Sequence, residues 1–210
     1  MKPEPERRRV LKILGVAAAW PLAATPALAD DRPATPRVTL GPFYPRDFPK
    51  DTDADLTRVA GRSGVASGTI LDVTGRVMDR RGAPVPGARV EVWQCDNEGR
   101  YLHVGDMQPE GDPNFQGFGV ALADAEGRYR FRTIRPVAYS GRTPHIHFLV
   151  REGNRERLVS QMFVEGDPGN PRDGIYRWLG AEAKLVTMRL EDAPPASGAK
   201  VKGVFDIILA

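Results

Sequence analysis

From Arg128 to Thr133 the chain alternates strictly. Arg128, Arg130 and Arg132 hold one parity, and Tyr129, Phe131 and Thr133 hold the other. A period of two belongs to a strand with one dry and one wet face. The same period recurs at Arg89–Trp93, where Val90 and Val92 alternate with Arg89 and Glu91. Turn-forming runs at Arg80–Ala83 and Asp124–Gly127 punctuate these segments. The 22 Gly and 19 Pro among 210 residues favour many short elements over long helices. Further strands are expected at Leu158–Val164, Leu185–Leu190 and Val204–Leu209. Residues 102–118 read as a long loop. Glu165–Trp178, with two prolines and three glycines, reads as another. The expected fold is all-β: a single antiparallel β-sandwich with long decorated loops over residues 67–210, with no repeat and no second domain.

The net charge of +3 is a property of the first 29 residues, where Lys2, Arg7, Arg8, Arg9 and Lys12 outnumber Glu4 and Glu6. The remainder balances at 25 basic and 25 acidic residues, so a nucleic-acid partner is not expected. The arginines lead into an apolar stretch from Ile13 to Ala24, followed by Ala27-Leu28-Ala29 as a cleavage site. That is the plan of an export signal, and the paired arginines resemble a twin-arginine leader. Residues 1–29 are therefore expected to direct export to the periplasm and to be removed, leaving no stable membrane span. Residues 30–66, rich in Pro, Asp and Arg, read as an extended arm. Its Leu40-Gly41-Pro42-Phe43-Tyr44-Pro45 segment can lie across a sheet or a pocket mouth. The single Cys95 excludes an intramolecular disulfide and reads as a small buried side chain.

Chemistry concentrates at Arg142-Thr143-Pro144-His145-Ile146-His147-Phe148, which holds two of the three histidines. The run Ile146–Val150 reads as a strand, so His145 and His147 share a face, roughly 6–7 Å apart at Cα. Two imidazoles so placed can converge on one metal ion. Taken alone, the pattern equally describes two polar residues on a wet sheet face. Tyr101 and Tyr139 add two phenols. A phenolate is a hard anion suited to ferric iron, whereas zinc sites favour Cys, His and carboxylates. Each phenol must lose a proton held with a pKa near 10, which only a strongly charged cation favours at neutral pH. The third histidine, His103, follows Tyr101 by two residues and reads as a neighbour of the site or an exposed side chain.

Several segments carry a family likeness. They are Val90-Glu91-Val92-Trp93-Gln94, Gly99-Arg100-Tyr101, Asp112-Pro113-Asn114-Phe115, Phe131–Pro136, Tyr139, Arg142 with Pro144–Phe148, and Ser160-Gln161. In order and spacing they resemble the intradiol ring-cleavage dioxygenases, most closely the iron-bearing subunits of the protocatechuate branch, over about residues 40–167. The resemblance implies non-haem Fe(III) held by Tyr101, Tyr139, His145 and His147, with Tyr139 and His147 axial. It implies a small aromatic diol and O2 as substrates and a cis,cis-muconate-type dicarboxylate as product. Tyr139 would take up a proton from the diol. Arg142 would stabilise negative charge developing on the ring, and Gln161 would stand near the iron. Tyr44 is a candidate for selecting a carboxylated ring.

The chain departs from the family pattern in three ways. Only Ser140 and Gly141 separate Tyr139 from Arg142, where the family usually carries a longer insertion, so one wall of the pocket should be more open. The helical dimerisation segment of the catechol branch is missing from the sequence, and an export signal is unusual for the family. Assembly is expected as a homo-oligomer or with a related subunit. Two other readings compete: a non-catalytic transthyretin-like binding module, and an exported hydrolase using another metal on the same ligands.

Overall fold

A computed structural model describes residues 31–102 and 111–210. The expected leader and His103 lie outside the described residues. Ten strands form two five-stranded sheets among them. In the first sheet, β1 (Ile70–Asp79) pairs antiparallel with β4 (Arg128–Ile134). Its other edge pairs in succession with β9 (Val201–Val204) and β10 (Ile207–Leu209), and β8 (Leu190–Asp192) flanks β9. In the second sheet, β2 (Arg89–Trp93) lies between β3 (Phe118–Leu122) and β5 (His145–Glu152). Beyond β5 come β6 (Arg155–Val164) and β7 (Thr187–Met188).

The sheets share one core. Leu71, Val73 and Val77 of β1 and Tyr129 and Phe131 of β4 meet Val90 and Val92 of β2 and Ile146, Phe148 and Val150 of β5. Each strand supplies these residues at a spacing of two, as the alternation predicts. The outward side chains of β4 are not merely wet. Asp72 on β1 stands opposite Arg132 on β4 and takes two hydrogen bonds from it, at 2.9 and 3.0 Å. A third comes from Arg130 at 3.1 Å.

The architecture is β-rich as expected, but the pairing is not purely antiparallel. Strand β1 runs parallel to β9 and β10, and β6 runs parallel to β7. Parallel neighbours are joined through long connections, which a local turn pattern does not reveal. The loop expected over Glu165–Trp178 also holds a helix, α1 (Gly174–Leu179). Asp173 caps it, accepting the backbone N–H groups of Ile175 and Tyr176. Within the Leu185–Leu190 stretch, only Thr187–Met188 and the start of β8 are strand, because a 3-10 helix runs to Val186.

Residues 31–66 contribute no strand or helix of their own. They follow the second sheet closely. Val38 N–H donates to Val159 O, and Ser160 Oγ donates to Pro36 O at 2.7 Å. This path carries residues 39–44 onto the outer face of β5 and β6.

Burial pushes the Asp72 carboxyl upward, but Arg132 and Arg130 outweigh it and hold the group below its ordinary value. A depressed carboxylate stabilises the fold above the unfolded pKa, near 3.8, and ceases to do so as pH falls through the folded value. Asp72→Asn should lower stability by about 2 kcal/mol at neutral pH, the scale of hydrogen bonds to a charged group. The gap from the parent should close on acidification below that unfolded value, as read by urea melts across pH.

Candidate metal centre

One row of side chains crosses the second sheet on its outer face: Trp93 on β2, His147 on β5 and Gln161 on β6, in direct register. His145 lies on the same face, two residues before His147. On an uncovered sheet this face would be wet. Here His145 and His147 are each 1% exposed and Gln161 is fully buried. Trp93 stacks on the His147 ring, centroids 5.0 Å apart and planes 12° from parallel. The arm supplies the rest of the cover. Gly41 sits so close to His147 that a Cβ there would lie 3.1 Å from its Cε1, and its φ of +75° suits glycine.

The two tyrosines arrive from different loops. Tyr101 follows a turn closed by Asp96, whose Oδ1 accepts the N–H groups of Glu98 and Arg100 at 2.9 Å each. Tyr139 and Arg142 bound the two-residue turn at Ser140-Gly141, closed by Arg142 N–H to Tyr139 O at 2.7 Å. Positive φ at both central residues, +42° and +78°, is the pattern of a tight hairpin turn. The short connection therefore fixes Arg142 opposite Tyr139. The rings of Tyr101 and Tyr139 meet edge to face at 5.2 Å, and Tyr101 meets His147 likewise at 6.2 Å.

The sequence-derived set thus comes together. His145 Nε2 lies 3.2 Å from His147 Nε2 and 3.5 Å from Tyr139 Oη. His145 Nδ1 is 2.7 Å from Thr143 O. A carbonyl only accepts, so Nδ1 carries the proton and Nε2 presents a lone pair to the site. Burial, with the charge of Arg142, lowers the His145 pKa to about 4. Burial, His145 and Arg142 push His147 well below its ordinary value. Both imidazoles are therefore neutral at neutral pH. Burial drives Tyr101 well above 10, with the neighbouring Tyr139 adding to the effect, and burial raises Tyr139 as well.

This donor set fits a highly charged, hard cation. Two neutral imidazole nitrogens 3.2 Å apart share at most one proton between them, whereas a cation uses both lone pairs. Among the described residues His147 Nδ1 has no partner, so the protein leaves this ring's orientation to packing and to whatever binds Nε2. Among the same residues no group of three or more His, Cys, Asp or Glu gathers, so a metal site here draws on the phenols as well as the imidazoles.

Arg142 donates from Nε to Asp173 Oδ2 and from Nη2 to Gln161 Oε1, each at 2.7 Å. A polar cavity of about 420 Å³ opens beside the phenols, lined by Phe43, Tyr101, Tyr139, Glu98, Arg100 and Ser140. A larger groove of about 810 Å³ runs along β3 and β4, away from the histidines and phenols. The smaller cavity is the relevant one because both phenols line it.

Tyr44 does not take the place expected for it. Its hydroxyl donates to the buried Glu91 at 2.7 Å, and its ring packs on Trp93. Burial and Glu91 raise its pKa to about 12, so it stays protonated. The arm's contribution to the centre is the preceding residue. Phe43 stacks on Tyr101 with centroids 4.2 Å apart and meets Tyr139 edge-on. Sequence reasoning named the aromatic pair but chose the wrong partner, since adjacent side chains of an extended segment point to opposite sides. Asp173 carried no local signal of a place here.

Comparison with known proteins agrees with this geometry. Residues 40–210 match the family described as Dioxygenase. The beta chain of protocatechuate 3,4-dioxygenase from Burkholderia cepacia is 42% identical over 184 residues, spanning 82% of this chain and 78% of that one. Hydroxyquinol 1,2-dioxygenase from Rhodococcus opacus is 33% identical over 201 residues, spanning 87% of this chain but only 62% of that protein. Among solved structures, the dioxygenase domain of a carbohydrate-binding fusion protein from Streptomyces sp. SirexAA-E superposes with a TM-score of 0.66 at 28% identity. It covers 84% of this chain and 98% of that one. The chain belongs to the intradiol ring-cleavage dioxygenase family.

Proposed function

We propose that this chain opens the ring of a small catechol-type diol with O2, using ferric iron held by Tyr101, Tyr139, His145 and His147. The observation that carries the reading is the convergence of two buried phenols on two neutral imidazoles in a chain of this family. A non-catalytic transthyretin-like module has no use for both phenols beside His-x-His.

Bound Fe(III) would supply Lewis acidity to the diol oxygens and a path for ring electron density toward dioxygen. The chain's own groups account for the rest. Two phenolates offset two of the three positive charges and favour the ferric state. The neutral histidines bind without first losing a proton. Tyr139, more exposed than Tyr101, can accept a diol proton at Oη. Arg142 supplies fixed positive charge beside the phenols, and Gln161 holds one of its nitrogens. Phe43 and Trp93 keep water from the buried side of the site.

The paired arginines and apolar run of the first 29 residues support export to the periplasm as a folded protein, with the leader then removed. No helix of the described residues is long and apolar enough to cross a membrane. The protocatechuate relative is named as a beta chain, which supports assembly with a related subunit or with further copies of this chain.

The experiment is visible absorption of the ferric protein, followed by anaerobic addition of catechol or protocatechuate. A tyrosinate-to-iron(III) band that shifts with one of them supports the reading, and Tyr101→Phe should remove much of that band. A protein that stays colourless after ferric reconstitution contradicts it.

The cover over His147 gives a second expectation. Gly41→Ala forces a Cβ toward the ring at a positive φ. It should weaken iron retention about tenfold, the lower end of what is seen when groups supporting a metal ligand are lost. Competition with a chelator reads this directly.

A further inference from the structure

Arg142 is held at both ends. Its backbone is fixed by the Ser140-Gly141 turn. Its guanidinium is fixed by Asp173 and Gln161, each at 2.7 Å. The Asp173 side chain is fully buried, and both of its oxygens are used. Oδ1 accepts Ile175 N–H at 2.9 Å and Tyr176 N–H at 3.0 Å, capping α1. Oδ2 accepts Arg142 Nε and, at 3.0 Å, Thr143 N–H.

We infer that Asp173 is a positioning residue for the ring-opening reaction, orienting the Arg142 guanidinium toward the substrate side of Tyr139. The inference rests on the function proposed above. The division of labour between the two oxygens carries it. Helix capping alone is served equally well by Asn or Ser. Only the second oxygen, facing a guanidinium and a backbone N–H, requires a carboxylate. An arginine has many rotamers and loses substantial entropy when held in one. A guanidinium left free would spread its charge over several positions instead of the one where charge develops. Asp173 and Gln161 take one donor each from separate nitrogens, which sets the plane of the group. Helix α1 thereby becomes part of the site although none of its residues lines the cavity.

Asp173→Asn separates the two roles. It retains a cap for α1 but turns an amide donor toward Arg142 Nε and Thr143 N–H. Asp173→Ser is the second variant, capping the helix with no group that opposes Arg142. Three readouts decide the matter. In metal-free protein, the Arg142 Nε–H resonance should be protected from exchange in the parent and lose that protection in both variants. In ferric protein, kcat should fall about tenfold to a hundredfold, the scale for small misplacement of a reacting group, while the tyrosinate band and the anaerobic diol affinity stay close to the parent's. In an Arg142→Gln background, Asp173→Asn should cause no further loss, because its effect passes through Arg142.

A kcat within about twofold of the parent, well short of that range, overturns the inference. So does an Asp173→Asn effect that persists unchanged without Arg142, which marks a purely structural role. A parent protein that opens no diol is a different failure and refutes the proposed reaction itself.

Discussion

The centre depends on burying one face of one strand. His145, His147 and Leu149 lie on the side of β5 that points away from the sandwich core. In a simple two-layer sandwich that side meets water, and two histidines there would be ordinary surface residues. The arm changes their surroundings. By pairing along β6 and laying Gly41 and Phe43 over the site, it turns a wet sheet face into a dry one. Burial is the largest influence on the protonation of all four donors.

Burial by itself works against ionised phenols. It raises both tyrosines and depresses both histidines, so the metal-free site favours four neutral donors. A doubly charged, soft ion would gain little from such a set. A hard trivalent ion can pull both phenolic protons away and gain two anionic ligands in a low-dielectric setting. Selectivity in this account comes from the cost of ionising buried tyrosines, which a weaker cation does not repay. The same low dielectric raises the influence of Arg142, whose charge must then be held in place by its neighbours.

Much of this was legible in the sequence because it is local. Alternation at Arg128–Thr133 gave a strand with the correct inner face. His-x-His in an apolar run gave two side chains on one face, and the segments around Tyr101, Tyr139 and Arg142 carried the family likeness. What escaped depends on distant or subtle geometry. The parallel pairing of β1 with β9 and β10 joins residues more than a hundred positions apart. Helix α1 was hidden because prolines and glycines dominate its approach, although Asp173 caps its start. Phe43 and Tyr44 are adjacent aromatics, and composition does not say which one turns inward. The short Ser140-Gly141 connection was expected to leave one pocket wall more open; what the sequence did not reveal is that its positive φ values make a tight turn that fixes Arg142 opposite Tyr139.

The measurement that tests the central claim most directly is the product formed by iron-loaded protein from a catechol under 18O2. Cleavage between the two hydroxyl-bearing carbons predicts a muconate-type diacid with label in both carboxyl groups. An aldehyde-bearing product, cleaved beside the diol, or a diacid without label from O2, would contradict the account.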